Sequence, residues 1–221
     1  MASVNPSRRY SSPLREQQAT ATRRAIVDAA HELFLSQGYG ATTLEQIAGR
    51  AGVSRQTVFT AVGNKQALLA AVRDVAIAGD HEPIPVKSRS GAAAITNEPD
   101  QARAAALIAA HLTAVARRYA PVHTIIRGTA ATGEEELSRL WNDEEHQRLV
   151  GARHWIDVLA AKAPLRSDLT TGHTTDILWL LMAPDHYARL VHDRDWTPEE
   201  YQRWLTEQIQ NLCGTPTPPG R

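Results

Sequence analysis

Apolar residues return at helical intervals in two blocks of this chain, and the stretch between the blocks lacks that rhythm. In the first block Ile26, Ala30, Leu33 and Phe34 form one stripe, closed by Gly38. Thr43 then precedes Leu44, Ile47, Ala48 and Ala51, the spacing of one face of a short helix. Thr43 with Gln46 fits a capping box, in which the hydroxyl covers a helix-end amide and the side chain three positions on reaches back. Thr42 with Glu45 fits equally well. Gly52 stops this helix after two turns. Ser54 caps a third short helix with Val58 and Val62 on its inner side, and Gly63-Asn64 breaks the pattern before Leu68, Leu69, Val72 and Val75 begin a fourth.

The second block predicts longer helices. Ala104, Leu107, Ile108, His111, Leu112 and Val115 make one stripe; Leu137, Leu140, Trp141, Trp155, Ile156 and Leu159 belong to another. Ile177, Leu178, Leu180 and Leu181 are apolar nearly all round. A last helix opens at Thr197-Pro198-Glu199-Glu200, with proline at the first helical position and acids facing the positive end of the helix dipole. Pro121, Pro164 and Pro198 fall where helix boundaries are wanted, and Pro184 interrupts an apolar run. No segment alternates like a strand, so the fold class is all-α. The predicted division is a flexible basic arm over 1–18, a head over 19–79, a linker or long loop over 80–99, a helical body over 100–213 and a disordered tail over 214–221.

Composition supports a helical reading: 35 of the 221 residues are alanine, the best helix former, and aromatic residues are only 5%. The 24 Lys+Arg and 24 Asp+Glu cancel, which argues against a uniformly basic coat, a polybasic membrane binder or an acidic disordered tail. The balance is a sum of opposites. Nine of the basic but four of the acidic residues lie at or before Arg73, a net of +5, which leaves −5 for the rest. A single cysteine, Cys213, excludes an internal disulfide and reads as an inert thiol in a reducing, cytoplasmic setting. The apolar run Ala104 to Ala110, which no other exceeds, is far too short for a membrane span, and no membrane partner is expected. None of the nine histidines has a second four residues away, and Asp143-Glu144-Glu145-His146 reads as a solvated face. No metal site, cofactor or catalytic set is predicted, and an enzyme is disfavoured.

The paired short helices, Thr43–Ala51 and Ser54–Val62 about Gly52-Val53, have the dimensions of a helix-turn-helix. The first helix must be short to cross a phosphate backbone, and the turn needs a residue tolerant of left-handed backbone. The second needs a small, polar outer face to enter a major groove. Ser54, Arg55, Gln56, Thr57 and Thr60 supply that face. Arginine matches guanine O6/N7 and glutamine adenine N6/N7, each through two bonds, while a threonine methyl can touch that of thymine.

The run Gly38-Tyr39, Thr42-Thr43-Leu44-Glu45-Gln46-Ile47-Ala48, Ala51-Gly52-Val53-Ser54, Thr57-Val58-Phe59, Asn64-Lys65 and Leu68-Leu69 resembles the amino-terminal domain of tetracycline-repressor-type (TetR) regulators over about residues 20–75. The resemblance implies an all-helical homodimer, with a DNA-binding head and an effector-binding, dimerising body. It implies that Thr43 and Lys65 hold phosphates and that Arg55, Gln56, Thr57 and Thr60 face bases; Ser54 and Phe59 complete the candidate DNA contacts. The family usually has tyrosine where this chain has Phe59, often tyrosine or tryptophan at Thr60, histidine at Ala61 and phenylalanine at Val62. The missing phenol and imidazole remove phosphate contacts, so the expectation is either weaker binding or compensation from elsewhere. Arg8, Arg9, Arg15, Arg23 and Arg24 offer compensation as an arm reaching a minor groove, or else form a solvated tail.

In the body, His111, His123, Arg127 and Trp155 are candidate effector contacts, because they place polar or aromatic groups on apolar stripes. The helix over Ile177–Met182 and the last helix suit a dimer seam. The expected function is a sequence-specific DNA-binding regulator, a repressor released from a palindromic double-stranded operator by a small-molecule effector. The alternative is a ligand-independent architectural or multimerising DNA binder.

Overall fold

A computed structural model describes residues 13–84, 89–131 and 133–214. The chain forms two compact units, Met1–Val72 and Arg73–Arg221. Among the described residues there is no strand, only an isolated antiparallel bridge between Leu165 and Cys213.

The first unit is built from α1 (Pro13–Ala41), α2 (Leu44–Ala51), α3 (Arg55–Ala61) and the opening turns of α4 (Lys65–Ala78). Its core is Ile26, Val27, Ala30, Phe34, Ile47, Ala48, Val58, Leu68, Leu69 and Val72, nearly all fully buried. Each large side chain contributes about 1.5–3 kcal/mol on leaving water. The predicted stop at Gly38 is a break within α1 at φ 84°, ψ 159°, after which the helix resumes for one turn. Thr42, buried beneath it, donates its hydroxyl to the Gly38 carbonyl at 2.8 Å. That bond decides between the two capping registers. Thr42 serves α1, and the box belongs to Thr43 and Gln46: the Gln46 amide donates to Thr43 Oγ1 at 3.2 Å and the Thr43 amide to Gln46 Oε1 at 2.8 Å. Helix α1 begins at Pro13, so residues 13–18 of the expected arm are helical; the arm's first twelve residues lie outside the described ones.

The second unit contains the end of α4 with α5 (Ser90–Asn97), α6 (Gln101–Ala130), α7 (Glu135–Ala160), α8 (Thr171–Leu181), α9 (Pro184–Tyr187, continued by a π-helical turn Ala188–His192) and α10 (Pro198–Gln210). Ile108, Leu112, Trp155, Ile156, Leu159, Leu178, Tyr187, Tyr201, Leu205 and Ile209 belong to one buried cluster. Two expectations fail here. The stretch read as a linker carries α5, whose Ala92 and Ile95 enter this core. Pro121 is no boundary but lies inside α6. Proline costs a helix about 3 kcal/mol, yet Tyr119, Ala120, Val122 and Ile126 around it are all buried, and their combined burial outweighs that cost. The other boundaries agree with the sequence: Pro184 opens α9, and Pro198 opens α10 behind a Thr197–Glu200 capping box. The tail's 215–221 lie outside the described residues; Gly214 donates its amide to the Pro164 carbonyl at 2.9 Å. Among the described residues no helix is long and apolar enough to cross a membrane.

Candidate nucleic-acid interface

The turn between α2 and α3 is fixed from both sides. Gly52 adopts left-handed φ 69°, ψ 31°. Its amide donates to the Gly49 carbonyl at 3.3 Å and that of Val53 to Ala48 at 3.0 Å, the pairing that closes a helix on a left-handed residue. Ser54 then caps α3, its Oγ accepting the Thr57 amide at 3.0 Å. At the far end, Arg23 from α1 donates to the Ala61 carbonyl at 2.8 Å. Arg23 thus closes α3 within the unit, whereas the arm reading would send it outward. Arg24 forms a loose, exposed pair with Asp28 at 3.9 Å.

With both ends tied and Val58 buried, α3 turns Arg55, Gln56, Phe59 and Thr60 outward. Phe59 is 57% exposed, the apolar exception on this face. Thr60 donates its hydroxyl to the Gln56 carbonyl at 2.9 Å, which leaves its methyl as the outward group. Thr57 is half-buried, its Oγ1 2.8 Å from Ser54 Oγ, so it belongs partly to the cap. Arg55 pairs across the turn with Glu45 of α2, Nη1 to Oε1 3.0 Å. Lys65, at the start of α4, donates to the Gly40 carbonyl at 3.3 Å with its ammonium 4.3 Å from the Tyr39 ring centre. That position holds a cation beside the end of α1, where helix carbonyls favour it. The motifs that hold Glu45 and Tyr39 in the sequence do not disclose these contacts. Their parts depend on neighbours ten and 26 positions away.

The body candidates separate into two groups. His123 of α6 is buried, its Nδ1 2.6 Å from Glu144 Oε1 of α7 and its Nε2 3.0 Å from Asp185 Oδ2 of α9. Arg127 also pairs with Asp185. Glu144, expected on a solvated face, is therefore a core residue, with Tyr119 beside it. A neutral imidazole has one N–H, so both His123 contacts are hydrogen bonds only if three groups share two protons. Burial pushes the Asp185 carboxyl up, but the His123 hydrogen bond and the charges of His123 and Arg127 leave it below its ordinary value. Burial and the Glu144 charge push the Tyr119 phenol well up, and burial raises the Cys213 thiol to about 11, keeping it protonated. His111 instead meets Trp155 edge-on at 5.7 Å. A groove of about 410 Å³ between α6 and α10, lined by Thr113, Arg117, Arg118 and Gln202 among others, includes none of the four candidates.

Two short capped helices about a left-handed glycine, the second anchored by one valine and largely polar outside, form a helix-turn-helix. Residues 26–72 match the family described as "Bacterial regulatory proteins, tetR family", so this stretch of the chain is similar to that family. It is 46% identical over 55 residues to the HTH-type transcriptional regulator SrpR of Pseudomonas putida, covering 25% of this chain and 26% of SrpR. It is 27% identical over 188 residues to the uncharacterized HTH-type regulator YdeS of Bacillus subtilis, covering 83% and 85%. The match to SrpR thus spans about a quarter of that relative. Among solved structures, NalD, the secondary repressor of the MexAB-OprM multidrug efflux pump in Pseudomonas aeruginosa, superposes with a TM-score of 0.64 at 22% identity. It covers 89% of this chain and 98% of that one. At that identity the likeness establishes the fold.

Proposed function

We propose that the chain acts as a cytoplasmic, homodimeric transcriptional repressor that binds a palindromic operator and leaves it when a small effector occupies the body. The observation that carries this reading is the outward face of α3: Arg55, Gln56 and Thr60 are exposed on a helix whose two ends and inner valine are fixed. In a two-fold dimer, two such helices enter successive major grooves about 34–36 Å apart. Arg55 and Gln56 read base edges, with Thr60 and Phe59 offering apolar contacts to thymine methyls. Thr43, Ser54 and Thr57 lie at the helix ends that meet the backbone, and Lys65 adds a phosphate contact.

Dimerisation is favoured because a single short helix reads too few bases, and the exposed apolar side chains of the body suit a second copy. Leu149 and Val150 of α7 and Leu180 of α8 are exposed. Helix α10, expected at the seam, instead buries Tyr201, Leu205 and Ile209 and shows Glu199, Gln202, Arg203 and Glu207 to solvent. Within this reading the seam runs along α7 and α8. His111 and Trp155 are the better placed of the candidate effector contacts. An effector at His123 or Arg127 would have to replace their contacts with Glu144 and Asp185. Release from DNA requires the effector to bind the free form more tightly, since equal affinity shifts no population.

The test is selection of bound duplexes from a random pool, followed by a small-molecule screen for release. Arg55→Ala is expected to cost about 1–3 kcal/mol on the selected site and to relax preference at particular bases. Lys65→Ala should weaken all sequences alike and flatten the salt dependence by about one unit. A chain that retains no sequence from the pool would overturn the proposal.

A further inference from the structure

We propose that Glu45 is a positioning residue for Arg55, aiming its guanidinium at a base and holding it off the phosphates; this rests on the reading of Arg55 as a base contact. Glu45 stands in the first turn of α2, behind the Thr43 cap, where free amides and the helix dipole favour a carboxylate. Arg55 opens α3. The two charges meet at 3.0 Å across a turn that Gly52 and Ser54 lock, although both side chains are more than half exposed. The contact engages Nη1, one of the three guanidinium nitrogens. A guanidinium carries five N–H donors, more than one carboxylate contact uses, so donors remain for the two acceptors of guanine.

Without Glu45, a long flexible cation at the tip of the head would serve any nearby phosphate oxygen. Such contacts strengthen binding to every sequence alike. A carboxylate at its side does two things: it limits the rotamers of Arg55, and its own charge repels the backbone. Arg50 and Glu32 give the contrast. Their pair, with Arg50 Nε and Nη2 both on one Glu32 oxygen at 2.8 and 2.5 Å, joins α2 to α1 as scaffold.

The experiment compares the affinities of the full chain for its pool-selected duplex and for a random-sequence duplex. An exposed pair of this kind predicts that Glu45→Gln tightens binding to random DNA and lowers the ratio of the two affinities by about 2- to 5-fold. In an Arg55→Ala background, Glu45→Gln should leave the base preference unchanged, because its object is gone. Glu32→Gln should leave the ratio as it is in the wild type. The proposal fails if Glu45→Gln shifts both duplexes equally, which would make Glu45 a generic charge. It fails also if the ratio moves as much without Arg55. A wild type that selects no DNA fails earlier, and takes the proposed function with it.

Discussion

In the head, charged side chains sit at the surface in single pairs, Arg55 with Glu45 and Arg50 with Glu32, each more than half exposed. In the body, His123 and Glu144 are buried together and reach Asp185 and Arg127, so that α6, α7 and α9 share one polar cluster. The difference follows from what each unit must keep available. A surface pair is worth little to stability, and in the proposed function Arg55 adds a contact with DNA beside its pair. A buried group has left water and depends on its partners, so breaking one contact strands the others. The head thus carries exposed charges on a rigid frame, and the body uses fixed charges as part of its frame.

The sharpest way to break this contrast is to truncate one member of each kind. Glu144→Ala should cost about 3–5 kcal/mol, the range for removing one partner of a buried pair, while Glu45→Gln should leave the melting temperature nearly unchanged. All five tryptophans lie in the body, so urea unfolding followed by tryptophan emission reads the first effect directly. A loss no larger than that of Glu45→Gln would show that the cluster is incidental to the body's stability.

Next in size is the frame of the head. Gly52→Ala places a Cβ on left-handed backbone, with open space around the added atom. The cost is therefore conformational, about 1–2 kcal/mol. Circular dichroism should record an earlier loss of helix without a matching shift in tryptophan emission, which the body supplies. An unchanged helix signal would mean that the turn accepts an ordinary residue and that the frame is looser than its hydrogen bonds suggest.

These two sites also differ in how far the sequence discloses them. The caps at Thr43, Ser54 and Thr197 and the stop at Gly52 depend on residues within a few positions, and their spacing reveals them. The choice between Thr42 and Thr43 as the cap needed one fact from outside the helix, the carbonyl that the Gly38 break leaves open. Glu144 looked solvated because its neighbours Asp143 and His146 are exposed, while its partner lies 21 residues upstream on another helix. Helix α5 was hidden by the glycine, serine and prolines around a short run of alanines, and only packing in the body core selects it. Pro121 misled for the same reason, since burial across the helix, and not local propensity, decides its fate. The outward face of α3 was readable, but the Glu45 contact that orients Arg55 depends on the turn angle and was not.

The smallest expected effect concerns His111 of the body. Burial, helped by the charge of Arg118, holds this imidazole below its ordinary value of 6.5. The folded body therefore resists a proton that the unfolded chain accepts, and wherever the unfolded state binds more protons, stability rises with pH. The contribution is complete above about 6.5 and declines as the pH falls from there through the depressed folded value. In His111→Leu the apolar contact with Trp155 is kept in kind and the titrating group is gone. Urea midpoints read from tryptophan emission should then fall less between pH 7.5 and pH 5.5 than in the wild type (values of ~2 units apart that bracket the ordinary histidine range). His31, on α1 of the head and depressed in the same direction by its own burial, should go on making the helix signal acid-sensitive in both proteins. If the two tryptophan profiles coincide, the burial of His111 makes no contribution to the body's response to acid over that range.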